Sequence, residues 1–195
     1  MMKNIKILLS LMMLALFGLT SCDESSEAGE FDNWQERNTQ FIDSIAAVAR
    51  ANVDGDWKII LNAALPDTSK VQPNYEYVYC QVIEKGSGLT HPLSTDSVFL
   101  NYSGRLMPSA SYPDGYLFDS SYKDELQPSF NVPAGFPLSG TVDGFYTAVQ
   151  NMVVGDVWKV YTPYQLGYGV SGTTGVPAYS TLIFDINLVS FHPAK

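Results

Sequence analysis

The 195-residue chain is acidic, with 20 Asp and Glu against 11 Lys and Arg and a formal net charge of −9. Phosphate backbones reward Lys and Arg, so this balance argues against nucleic acid and anionic lipid surfaces as ligands. The two cysteines, Cys22 and Cys80, and the two histidines, His91 and His192, offer no disulfide framework, no catalytic zinc spacing and no prepared histidine triad.

The N-terminus reads as an address label. Lys3 and Lys6 precede an apolar run from Ile7 to Leu19 that is too short for a comfortable membrane span. The run ends in Leu19-Thr20-Ser21-Cys22, which resembles the bacterial lipobox. Residues 1–21 are therefore expected to be a lipoprotein signal peptide, with Cys22 the lipidated residue and membrane anchor. Residues 22–31 follow as an acidic tether (Asp23, Glu24, Ser25, Ser26, Glu27), solvated as an anchor requires. The expected location is the bacterial cell envelope, lipid-anchored at the outer membrane.

Residues 32–74 are read as a helix and an irregular connector. Trp34, Phe41, Ile42, Ile45, Val48 and Ala49 recur at helical spacing between Asp32 and Asn52, with Asp32 and Gln35 placed to cap the start. This helix is expected to pack on the neighbouring domain. Pro66 and Pro73 break the connector, and Trp57 to Leu61 is a candidate short strand.

From residue 75 to 192 the pattern is mostly strand. Tyr75–Ile83, Ser97–Leu106, Asp156–Thr162 and Thr181–Phe191 are predicted strands, with a shorter fifth around Phe130 to Val132. In Ser97–Leu106, Val98, Leu100, Tyr102 and Leu106 share one face; in the last strand Leu182, Phe184, Ile186 and Leu188 do so. One helix interrupts them. Phe145, Ala148, Val149 and Met152 form its apolar stripe, Asp143 sits in its first turn and Gly155 ends it. The expected fold is α+β, an antiparallel curled sheet wrapped around one short helix.

Gly167-Tyr168-Gly169-Val170-Ser171-Gly172 matches GxGxxG, but a strand rather than a helix follows, so it reads as a surface loop and not a dinucleotide site. Neither a metal nor an organic cofactor is expected. What remains is a domain rich in aromatics and poor in acid–base groups. Such a site can bind, or can catalyse a reaction that moves no proton. Rotation about a peptide bond is one, with a barrier of about 18–20 kcal/mol set by amide resonance.

An ordered series of motifs makes this specific. Val98-Phe99-Leu100-Asn101-Tyr102-Ser103-Gly104 resembles the V-x-V-x-Y-x-G strand of FKBP-type peptidyl-prolyl isomerases, and Phe118-Asp119-Ser120-Ser121 resembles their F-D-S-S. Gly144-Phe145 and Met152-Val153-Val154-Gly155-Asp156 are similar to the helix start G-W and helix exit M-x-x-G-[DE]. Tyr168-Gly169, Val176-Pro177 and Ser180-Thr181-Leu182-Ile183-Phe184-Asp185 follow in the family's order. The resemblance covers about residues 75–191, and the leader and tether match the family's envelope lipoproteins. It implies an apolar bowl formed by Tyr102, Phe118, Val142, Phe145, Val176, Tyr168 and Phe184, binding the proline ring of polypeptide substrates. It further implies that the Val142 N–H and the Tyr168 hydroxyl hold substrate carbonyls, while Asp119, buried beside tyrosines, orients the site. Phe145 stands where many members carry tryptophan, and Met107–Tyr116 and Pro133–Ser139 are longer than the family's pattern. The implied function is a prolyl isomerase assisting folding of exported proteins. The alternative is a non-catalytic chaperone or peptide-binding lipoprotein that keeps the bowl.

Overall fold

The computed structural model describes residues 29–66, 70–122 and 132–193. The leader and Cys22 lie outside them, as do Phe130 and Asn131 of the expected fifth strand.

The first element, α1 (Trp34–Ala51), buries Trp34, Asn38, Ile42, Ala46 and Ala49. Val48, expected on that stripe, is half exposed; the buried face is narrower and runs through Asn38 and Ala46 instead. The expected Asp32 cap is not formed. Asn33 takes the N-cap in a left-handed conformation with no side-chain bond, and the Asp32 carboxylate accepts the Gly29 N–H at 2.7 Å.

Among the described residues seven strands follow: β1 (Trp57–Leu61), β2 (Tyr77–Glu84), β3 (Ser97–Leu106), β4 (Leu117–Ser120), β5 (Ala134–Pro137), β6 (Val157–Thr162) and β7 (Leu182–His192). All pairings are antiparallel, in the order β1-β2-β6-β7-β3-β4, with β5 also on β3. Thus β3 shares its outer edge between two short strands: β5 along Ser97–Leu100 and β4 along Ser103–Arg105. The fifth strand accordingly lies at Ala134–Pro137, beyond Val132, which is exposed.

The helix α2 (Asp143–Val149) packs on one face of the sheet in this α+β fold. Phe145, Ala148 and Val149 join one core with Val78, Cys80, Val98, Leu100, Trp158, Val160, Leu182 and Ile186. Met152, assigned to the same stripe, lies in the turn after the helix but is fully buried. Gly144 shows how close helix and sheet come: a Cβ there would fall 2.2 Å from the Thr162 side chain. A second core cluster, Ile42, Ala46, Ala49 and Tyr79, seals α1 against the other face of the sheet. Among the described residues no helix is long and apolar enough to cross a membrane.

Candidate functional site

Strand parity places the site. On β3 the alternation that buries Val98 and Leu100 points Tyr102 the same way, and its partner across the ladder is Ile186. Two residues on, Gly104 pairs with Phe184. Glycine is required here by contact: a Cβ would lie 2.6 Å from the Phe118 ring and 3.1 Å from that of Phe184. The missing side chain lets those two rings meet over the strand, with centroids 5.9 Å apart and edge to face.

Phe145, in the first turn of α2, is the hub of the cluster. Its ring meets Phe184 at 5.1 Å, Tyr102 at 5.9 Å and Phe136 at 6.2 Å. Phe136 itself packs edge to face on Tyr102 at 6.1 Å. Such aromatic pairs add about 0.5–1.5 kcal/mol each beyond the area they bury, and they fix the rings' orientations. Together they wall a bowl of about 480 Å³ lined by Tyr102, Phe118, Asp119, Phe136, Pro137, Gly140, Thr141, Val142, Phe145, Tyr168 and Phe184.

Seven of the eight residues expected at the site thus meet in one cavity. Val176 is the exception. A tight turn, with reciprocal 2.9 Å bonds between Thr173 and Val176, directs it into the core, where it is 2% exposed and lines a neighbouring cleft with Leu106, Tyr112 and Tyr116. Phe136 was not anticipated, because it falls in Pro133–Ser139, which read as an insertion. Its signal was an apolar residue between Pro133 and Pro137, and only the pairing of β5 on β3 turns it inward.

Asp119 is the second correction. It was expected to be buried beside tyrosines, but it is exposed on the rim. Strand β4 is an edge of only four residues, and its alternation sends Phe118 inward and Asp119 outward. The carboxylate still reaches the site: Oδ2 accepts the Tyr102 hydroxyl at 2.7 Å and Oδ1 accepts the Ser120 N–H at 2.8 Å. Burial, reinforced by the hydrogen bond and charge of Asp119, holds the Tyr102 hydroxyl proton well above the usual tyrosine range. Burial and the same carboxylate raise Tyr168 in the same direction.

Two donors face the mouth. The Val142 N–H at the N-cap of α2 makes no hydrogen bond to any described residue, and its carbonyl accepts the Tyr146 N–H at 3.0 Å. The Tyr168 hydroxyl is likewise unbonded to any described residue, and the side chain is 39% exposed. Among the described residues the site therefore offers an apolar interior and two hydrogen-bond donors left free for a ligand.

The same architecture occurs in known proteins. The family model for FKBP-type peptidyl-prolyl cis-trans isomerases matches residues 88–189. The peptidyl-prolyl cis-trans isomerase Mip of Coxiella burnetii is 39% identical over 111 residues, 56% of this chain and 43% of that protein. The macrophage infectivity potentiator of Trypanosoma cruzi is 36% identical over 129 residues, 66% of this chain and 58% of its own. Escherichia coli FkpA is 36% identical over 114 residues, and the match spans 37% of its length. The crystal structure of FkpA superposes with a TM-score of 0.52 at 27% identity, covering 83% of this chain and 65% of that one. The matches thus span about 40 to 60% of these curated relatives. Since the family model takes in more than half of the 195 residues, the chain belongs to the FKBP-type peptidyl-prolyl cis-trans isomerase family.

Proposed function

We propose that this chain accelerates cis–trans rotation about X–Pro bonds in polypeptides. The observation that carries the reading is an aromatic bowl with the unbonded Val142 N–H and Tyr168 hydroxyl at its mouth. The proline ring enters between Tyr102, Phe136, Phe145 and Phe184, and the preceding amide leaves water. An amide nitrogen that is poorly solvated and twisted out of plane loses resonance, which lowers the rotational barrier. The Val142 N–H and the Tyr168 hydroxyl hold the flanking carbonyls through the twist. Asp119 acts through Tyr102, fixing its hydroxyl and hence its ring. No proton moves, so Asp119 is not a base.

The substrates are proline-containing segments of other polypeptides, with X–Pro rotation slow enough unaided, at tens to hundreds of seconds, to limit folding. The role we assign is folding of exported proteins by an enzyme anchored through lipid on Cys22 at the outer membrane. The lipobox-like Leu19-Thr20-Ser21-Cys22 and the acidic tether support it.

The test is the isomerisation rate of short X–Pro peptides with the purified chain. Acceleration that vanishes in a folded Tyr168→Ala variant is the expected result. A folded protein that accelerates no peptide, whatever residue precedes proline, would leave a peptide-binding module with the same bowl.

A further inference from the structure

The connection between Thr162 and Leu182 carries Tyr168, and its far end is fastened to α1, a helix outside the residues the family model matches. The Trp34 indole N–H donates to Ser180 Oγ at 2.9 Å, and Ser180 Oγ donates to the Pro177 carbonyl at 2.7 Å. Asn38, wholly buried, donates from Nδ2 to the Trp34 carbonyl at 2.7 Å and accepts the Thr181 N–H on Oδ1 at 2.7 Å.

A buried amide in the middle of a helix is a poor choice for stability. Asparagine has low helix propensity, and its polar atoms must all be paired to offset their desolvation. An apolar residue would extend the stripe of Trp34, Ile42, Ala46 and Ala49. What asparagine alone supplies is an acceptor for one backbone N–H of the loop.

That acceptor acts next to a strained point. Tyr179 adopts φ 62, a left-handed conformation unfavourable for a tyrosine, which persists only where its surroundings fix it. The two residues after it are those that α1 holds. Its own N–H donates to the Gly169 carbonyl at 2.9 Å, and its ring packs on Tyr164 at 5.2 Å. Gly169 directly follows Tyr168, whose carbonyl accepts the Gly172 N–H at 3.1 Å. The chain of contacts is short: Asn38, Thr181, Tyr179, Gly169, Tyr168.

We infer that α1 is a positioning element of the site, with Asn38 the residue that holds the Tyr168 loop in register with the bowl. The inference rests on the isomerase reading for its consequence, though not for its geometry. The rings stand on the sheet and α2, and the bonds of Asn38 run to Trp34 and Thr181 rather than to the rings, so losing them displaces the hydroxyl more than the bowl.

The experiment is a double-mutant cycle on the full chain with Asn38→Ala and Tyr168→Phe, measured well below the melting temperature of each variant. Misplacing a group that touches substrate can cost up to a hundredfold, and about a tenfold loss in kcat/KM is expected for Asn38→Ala. Because Asn38→Ala acts by displacing the hydroxyl that Tyr168→Phe removes, it should cost almost nothing further in the Tyr168→Phe background; multiplicative losses overturn the inference. If Asn38→Ala does not fold, Trp34→Phe, which deletes the bond to Ser180 along with part of a buried ring, runs through the same cycle with about a threefold loss expected. Hydrogen exchange separates this inference from the isomerase reading. Faster exchange at residues 168–172 in Asn38→Ala, with β3 unchanged, supports the coupling even if the wild type proves inactive. Unchanged exchange there overturns it.

Discussion

The wall of the bowl and its mouth are built by different means. The wall consists of rings on β3, β4, β5, β7 and α2, each locked by at least one neighbouring ring and, for Tyr102, Phe136 and Phe184, by ladder pairing as well. Tyr168 instead stands on an irregular stretch between the buried Leu166 and Val176, held by a few hydrogen bonds that reach residues far away in sequence. Close packing resists any change of volume, whereas a loop held by a few bonds can shift as a unit. Affinity for the proline ring should therefore depend on the wall, and rate on the mouth.

The largest expected effect comes from the hub of the wall. Phe145→Ala should destabilise the fold by about 3–5 kcal/mol and abolish peptide binding together. Denaturant unfolding with a peptide titration checks it, and a stable variant that still binds would break the division of labour. Next is Gly104→Ala, whose new methyl collides with Phe118 and Phe184. Overpacking of this kind costs about 1–3 kcal/mol and should weaken peptide binding by tilting Phe118.

Changes at the mouth should leave stability nearly untouched. Tyr168→Phe is expected to lower kcat/KM about tenfold, the worth of one positioned hydrogen bond, while the melting curve moves little because the side chain is partly exposed. A substantial loss of stability without a rate effect would assign Tyr168 to the wall. Asp119→Ala should cost less, about threefold, since the two bonds it removes lie at an exposed rim and the Tyr102 ring stays packed.

The pH dependence should be the smallest effect near neutrality and should grow only in alkali. With Tyr102 and Tyr168 both raised, their hydroxyls stay protonated, and the isomerisation rate should be flat from about pH 6 to 9. A bell-shaped profile in that window would restore acid–base chemistry. Stability is another matter. Tyr79, wholly buried with its hydroxyl bonded to the Asn74 carbonyl, is pushed by burial from the ordinary 10 to about 12. Between those values the folded chain holds a proton that the unfolded chain releases. Its contribution is therefore complete below about pH 10 and lost as pH rises towards 12. Tyr79→Phe should flatten that alkaline decline in a thermal-melt series.

How much of this was legible in the sequence follows the range of the forces involved. The strand Ser97–Leu106 was readable to the residue because one buried face shows through the spacing of Val98, Leu100 and Leu106 along ten positions. Strand β4 was not, since its four residues at a sheet edge are too few to show a period; it was visible only as part of a motif. Val48 was assigned to the buried stripe of α1 because periodicity counts apolar residues. Asn38 was missed because the same count discards polar ones, although it is among the most buried side chains of the helix.

The sequence by itself determined the inward faces of the long strands and the stripe of α2, and through the ordered motifs it named seven of the residues that meet in the bowl. These follow from local alternation and residue chemistry, which the chain carries wherever it folds. Tertiary structure decided the rest: Phe136 in the wall, Val176 turned away from it, Asp119 on the rim, and Asn38 reaching Thr181 across 143 positions of chain. Each of those depends on which segments pair or pack against one another, and a one-residue difference in that pairing reverses which way a side chain points.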